Sequence, residues 1–274
     1  AWTALGRSLM VTALGHGEVG GSPDDEIKSA RAAFARALAL DPHQAEARSA
    51  LALILATHDY AWETALRESA MAVESAPGDA TVAEIRGLIL STAGRDEEAI
   101  AASRRAVELD PLAPVISSNL GWVYLNAGRF SEAVEQGRRS LELEPDFHDA
   151  LTLLGRAAIR TGRFADAAAF YRRGAEVTGD NPEDLGGLVH ALARSGDREG
   201  ARQVLGGLLQ RSRNEFVPPL HVGYAYLGLG EDEEALRYFE RAVEEGGGWN
   251  VWLPRYPEAR HLHGNPQFRA LVSR

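Results

Sequence analysis

The chain contains no cysteine. Structural disulfides, thiolate nucleophiles and cysteine-ligated zinc or iron–sulfur centres are therefore excluded. Lysine is almost missing as well: Lys28 stands alone, so nearly all positive charge is arginine, a bias that, with abundant alanine and glycine, reads as codon usage. Basic residues as a class are outnumbered, 29 against 39 acidic ones for a net charge of −10. Such a chain repels a phosphate backbone, and no nucleic-acid partner is expected. No run of about 18 apolar residues occurs, and Ala1-Trp2-Thr3-Ala4-Leu5-Gly6-Arg7 has neither the basic leader nor the apolar stretch of a signal peptide. The expectation is a cytoplasmic chain that does not insert into membranes. Alanine in place of methionine at position 1 adds the expectation of a fragment or processed form of something longer.

Catalytic signatures are lacking too. A lysine-type phosphate loop needs Gly-Lys-Ser/Thr, yet Lys28 follows Ile27, and Gly-x-Ser-x-Gly does not occur. Gly17-Glu18-Val19-Gly20-Gly21 is glycine-rich but follows a helical pattern rather than a strand, so it reads as an insertion and not as a dinucleotide loop. His261 and His263 form a His-x-His pair without a third ligand at metal spacing. No enzymatic activity, cofactor or metal is expected.

What the sequence does have is a period. Ala65, Ala99, Ala133, Ala167, Ala201 and Ala235 are spaced by 34 residues, as are Gly94, Gly128, Gly162, Gly196 and Gly230. Gly87, Gly121, Gly155 and Gly223 share a third register interrupted only by Val189, and Pro77, Pro111 and Pro145 a fourth. Between Gly121 and Gly128 apolar residues recur at helical spacing, through Val123, Tyr124 and Ala127. Gly128 supplies the left-handed conformation that ends such a helix. After the short stretch Arg129 to Glu132, a second stripe of Ala133, Val134, Gly137 and Leu141 runs to Glu144, where Pro145 stops it. Small residues at Gly121 and Ala133 allow the two helices to approach closely. Each unit is a helical hairpin that cannot bury both its faces alone, so hairpins must stack.

These residues resemble the tetratricopeptide (TPR) repeat family. In 114–147, Leu120-Gly121, Tyr124, Gly128, Ala133 and Pro145 fall in its register, with Gly137 replacing an aromatic and Ser140 an alanine; in 216–249, Gly223, Tyr226, Gly230, Ala235, Phe239 and Ala242 do so. The resemblance implies an all-α fold, a right-handed superhelical solenoid of about seven antiparallel hairpins with a short C-terminal capping helix. It forms one domain over 1–274. Residues 1–45 are an irregular first repeat, carried by Trp2, Leu5-Gly6, Leu9, Ala30, Phe34, Ala37 and Pro42, with a loop insertion at about 16–25. Six 34-residue repeats span 46–249, and 250–274 form the cap, where Asn265-Pro266 opens a closing helix through Phe268, Leu271 and Val272. Pro111-Leu112-Ala113-Pro114, Asn119-Leu120-Gly121-Trp122, Trp252-Leu253 and Asn265-Pro266-Gln267-Phe268 also resemble arrays found in bacterial signalling and regulatory proteins.

The same resemblance implies a concave, ligand-facing side at the second, fifth, sixth, ninth, twelfth and thirteenth residues of each unit, positions that share one helix face. They hold Asn119, Trp122 and Asn126, then Arg156 and Arg160, then His190 and Arg194, with His221 following. This face is basic and polar although the protein is acidic. It suits a protein or peptide partner with acidic side chains or a free C-terminal carboxylate, gripped by arginine and by asparagine amides. Two other readings remain open here. The arginines could be solvated helix residues paired with acids such as Asp149 or Glu183, and Trp122 could belong to the core. The acidic runs Asp96-Glu97-Glu98 and Glu231-Asp232-Glu233-Glu234 suit helix N-termini. Functionally the expectation is a non-catalytic protein-interaction scaffold. The alternatives are a regulatory or sensor domain of a longer signalling protein and self-association through the end hairpins.

Overall fold

The computed structural model describes residues 1–14, 23–245, 253 and 256–272. All regular structure among them is helical. Fourteen α-helices follow one another in chain order: α1 (Trp2–Leu14), α2 (Pro23–Leu40), α3 (Ala45–Thr57), α4 (Trp62–Ser75), α5 (Ala80–Thr92), α6 (Asp96–Leu109), α7 (Pro114–Asn126), α8 (Phe130–Leu143), α9 (His148–Arg160), α10 (Phe164–Thr178), α11 (Pro182–Ser195), α12 (Arg198–Arg211), α13 (Pro219–Leu229) and α14 (Asp232–Glu244). A 3₁₀ helix, Pro257–Gly264, and a last helix, α15 (Pro266–Val272), end the chain. Residues 16–22 of the expected insertion lie outside the described residues, as do Trp249 and Trp252. Pro23 already opens α2, so the helix begins inside the last residues assigned to that loop. Phe130 likewise opens α8, three residues early, because a helix can start two residues after the left-handed Gly128.

By internal contacts the chain divides into two units, one within 1–129 and the other within 130–245 and 253–272. In the first, α1 packs on α2, α3 on α4 and α5 on α6, and the first helices contact one another through α3, α5 and α7. In the second, α9 packs on α10, α11 on α12 and α13 on α14, with α11 touching both α9 and α13. Stacking of this kind buries the apolar stripes that a single hairpin leaves open.

The periodic residues have the roles their chemistry dictates. Gly94, Gly128, Gly162, Gly196 and Gly230 all have φ between +74° and +99°, the left-handed region that side-chain-bearing residues avoid. The prolines at 77, 111 and 145 follow α4, α6 and α8 by two residues. At the close approaches, a Cβ on Gly87 would lie 2.0 Å from Ser103 Oγ, one on Gly155 2.8 Å from the Tyr171 ring, and one on Gly223 2.6 Å from Phe239. In each pair the large or polar partner stands 16 residues later. The irregular first repeat repeats the device across its insertion, where a Cβ on Gly6 would lie 2.7 Å from the Phe34 ring. Val189, the exception in the glycine register, has Leu205 16 residues on.

Three acidic residues occupy the first turn of α6 and of α14, where the helix dipole favours them. Asn265 caps α15 through its side-chain oxygen, which accepts from Gln267 N at 2.8 Å, and Phe268 and Leu271 are buried beneath that helix. No helix among the described residues is long and apolar enough to cross a membrane.

Candidate functional site

The ninth position of each repeat builds the site in the second unit. It holds Arg156 on α9, His190 on α11 and Tyr224 on α13. Because these helices are successive first helices, residues 34 apart rise on one face. The His190 ring stacks on Tyr224 with centroids 4.5 Å apart and planes 23° apart, and the Arg156 guanidinium lies 4.2 Å from the Tyr224 centroid. The Arg156 side chain thus reaches from α9 past α11 to a ring carried by α13. Two glycines let α11 and α13 approach closely: a Cβ on Gly228 would fall 2.4 Å from His190 Cα, and one on Gly186 2.5 Å from the His221 carbonyl oxygen.

The C-terminal segment lies on this face. Tyr256 places its ring 4.7 Å from the Arg156 guanidinium and edge-on to Tyr224 at 6.0 Å. Glu258, at the start of the 3₁₀ helix, faces Arg160, with Nε–Oε1 at 3.4 Å and the two side chains only 3% and 9% exposed. Leu253, Ala259 and Leu262 are buried beside them. The arginines at 156 and 160 are thus buried rather than solvated; Arg160 faces Glu258, the charge of Arg156 bears on both Glu258 and Glu183, and Asp149 contacts His148 at 3.6 Å. Desolvation makes each arginine–ring contact worth more than on a surface, of order 2 kcal/mol.

Burial and charge set the protonation states. Burial would raise the Glu258 carboxyl, but Arg160 and Arg156 outweigh it and hold it below the usual carboxylate range, so it is ionised at neutral pH. Burial pushes His190 down to about 4, so the ring is neutral, and its Nδ1 lies 3.1 Å from the Tyr224 carbonyl oxygen. Not every polar atom is served. Arg156 Nε and Nη1 and the hydroxyls of Tyr171 and Tyr224 are buried and have no hydrogen-bond partner among the described residues.

A second buried polar group is complete by comparison. His148 Nε2 lies 2.8 Å from Asp184 Oδ2, and Asp184 also accepts from Thr152 and Thr178. Burial opposes the charge on His148, yet hydrogen bonds to Asp149 and Asp184 raise it to about 10. This network ties α9, α10 and α11 together.

The remaining expected site residues are placed differently. Arg194 is exposed, its guanidinium 5.4 Å from the Phe164 centroid. In the first unit, Asn119 on α7 is half-buried and donates to Glu84 on α5 at 2.6 Å, while Trp122 and Asn126 are half-buried on the same helix. His261 pairs with Asp232 at 2.9 Å and His263 packs on Phe268; among the described residues no group of three or more His, Cys, Asp or Glu could hold a metal. Tyr224, Tyr256 and Glu258 were not among the expected residues. Tyr224 was open to discovery, since it occupies the ninth position of 216–249. Tyr256 and Glu258 follow the last repeat and carry no periodic signal.

Several comparisons bear on this architecture. Among solved structures, PilW, a widely conserved type IV pilus biogenesis factor, superposes with a TM-score of 0.61 at 21% identity, covering 78% of this chain and 93% of its own. A tetratricopeptide repeat protein from Parabacteroides merdae gives a TM-score of 0.61 at 14% identity over 94% and 98%, and Pseudomonas aeruginosa PilF one of 0.55 at 22% identity over 85% and 98%. At these identities the likeness is one of fold. No curated protein matches the chain. Tetratricopeptide repeat family models match residues 61–114 and 118–182, and 220–245, together more than half of the sequence. The chain belongs to the tetratricopeptide repeat family.

Proposed function

We propose that this protein is a non-catalytic protein-interaction scaffold, a single repeat array over residues 1–274. Its concave face of first helices binds an acidic segment of a partner. Arg156 and Arg160 are the residues that grip a carboxylate, and His190 and Tyr224 form the floor beneath them. Asn119, Trp122 and Asn126 line the equivalent face of the first unit, where asparagine amides can pair with extended backbone, and Arg194 lies at the rim. One observation carries the reading: the chain's own Tyr256 and Glu258 sit against Arg156 and Arg160. A tyrosine ring and a carboxylate are therefore chemically suited to that face.

Desolvated arginine fits the role because its planar fork meets a carboxylate bidentately and stacks on rings. The experiment is selection of a random peptide library on the full chain. Enrichment of sequences with a carboxylate close to an aromatic, lost when selection is repeated at high salt, supports the proposal. Enrichment indifferent to acidic residues contradicts it.

A further inference from the structure

We infer that the segment bearing Leu253, Tyr256 and Glu258 is a built-in competitor, holding the place of a partner-protein segment that presents an aromatic and, two residues on, a carboxylate. The inference rests on the acidic-segment reading above and adds its pattern and its control.

Three observations lead there. The first is chemical: the segment meets the repeat face through the kind of contacts a ligand would use, a ring on Arg156 and a carboxylate on Arg160. The second is that the fit is incomplete. Permanent protein interiors leave few buried polar groups unbonded, yet among the described residues Arg156 Nε and Nη1 and the Tyr171 and Tyr224 hydroxyls find no hydrogen-bond partner. A segment whose carboxylate reached Arg156 as a bidentate pair, through Nη2 together with Nε or with Nη1, would satisfy one of these atoms, which Glu258 does not do. The third is how the segment is held. Its backbone bonds include Tyr256 N to the Leu253 carbonyl and Ala259 N to the Tyr256 carbonyl, the three-residue pattern of a 3₁₀ helix with poorer geometry than an α-helix. Its His261–Asp232 pair is exposed.

Beyond the segment, α15 is anchored separately: it packs on α14, Phe268 is fully buried, and Gln267 donates to Glu240 at 2.8 Å. The segment is therefore tethered on both sides and competes at the high effective concentration of an intramolecular ligand. The ring and carboxylate contacts that Arg156 and Arg160 already make favour a partner with an aromatic beside an acidic group. When such a segment arrives, Tyr256 and Glu258 leave the face and the array stays intact.

The test uses a fluorescently labelled synthetic peptide with the sequence of residues 251–264 as probe, titrated into the full chain and into its Tyr256→Ala/Glu258→Gln variant. Circular dichroism checks that both are folded. The inference predicts at least ten-fold tighter binding to the variant, and a ten-fold loss when the peptide carries glutamine at the place of Glu258. It also predicts, in the wild-type chain alone, that saturating peptide removes hydrogen-exchange protection from the Ala259 amide. Measurable but equal affinity for both chains, with Ala259 still protected, overturns the competitor and leaves the acidic-segment face standing. No binding to either folded chain overturns both. A concentration-dependent wild-type dimer that cross-links this segment between differently labelled copies assigns the face to a second copy and overturns the partner-protein assignment.

Discussion

Replacing Gly187 with alanine sets two effects against each other, and the structure decides which prevails. Gly187 lies inside α11, so alanine gains about 1 kcal/mol of helix propensity. Its Cβ, however, would stand 2.4 Å from the Tyr171 ring, a full ångström inside ordinary contact. The ring has little room to step aside, because its side chain is fully buried and the α9 backbone lies so close that a Cβ on Gly155 would also stand 2.8 Å from it. Overpacking of this kind costs about 1–3 kcal/mol and more where relief is blocked, so a net destabilisation of about 1–2 kcal/mol is expected. For a protein of this size that is a fall of about 2–8 °C in Tm. Gly206 is the internal control: it sits exposed inside α12 with nothing within 4 Å of its Cβ position. Gly206→Ala should stabilise by about 1 kcal/mol. Urea and thermal unfolding of the two variants, followed by circular dichroism, should therefore move in opposite directions. Stabilisation by both would refute the close approach of α9 and α11 around Tyr171.

Other expectations follow from the buried charges. His148, raised to about 10 by its carboxylate neighbours, contributes stability that is fully present below about 6.5 and lost as pH rises through 10; His148→Gln should flatten that alkaline loss in pH-dependent urea unfolding. His190, held down at about 4, acts at the other end, since the unfolded chain takes up a proton below 6.5 that the folded chain refuses. Stability should fall between pH 6.5 and 4 by about 3 kcal/mol, partly offset below pH 6 by Glu183, which burial raises to about 6; a His190→Phe variant that kept the full acid loss would contradict this assignment. Arg160→Glu should unfold the second unit's C-terminal contacts rather than merely weaken binding, because it sets two carboxylates face to face in a buried site, at a cost of about 3–5 kcal/mol.

The repeat was legible in the sequence because its constraints are local. A left-handed glycine, a helix-stopping proline and a small residue at a helix crossing each act through their own backbone, so a fixed period survives wherever the geometry does. Individual site residues were less legible. The ninth-position column pointed to Arg156 and His190, but whether they face solvent depends on what lies over them, and that is a segment after the repeats. Nothing in the spacing of Tyr256 and Glu258 ties them to arginines about 100 residues earlier. The coupling is tertiary, made of ring stacking and charge. Tyr224 is a different case: it stands in the same ninth-position column as Arg156 and His190, so the period alone places it on their face.

The most direct test of the account is a double-mutant cycle across the binding face. An acidic peptide taken from the library selection, and its glutamate-to-glutamine counterpart, would be titrated against the wild-type chain and against Arg160→Met, which keeps the apolar volume and removes the charge. The account predicts a coupling of about 1–2 kcal/mol between the arginine and the peptide carboxylate, in the range of charge-assisted hydrogen bonds. Additive losses with no coupling would show that Arg160 does not meet the ligand's carboxylate, and would contradict the assignment of this face to an acidic segment.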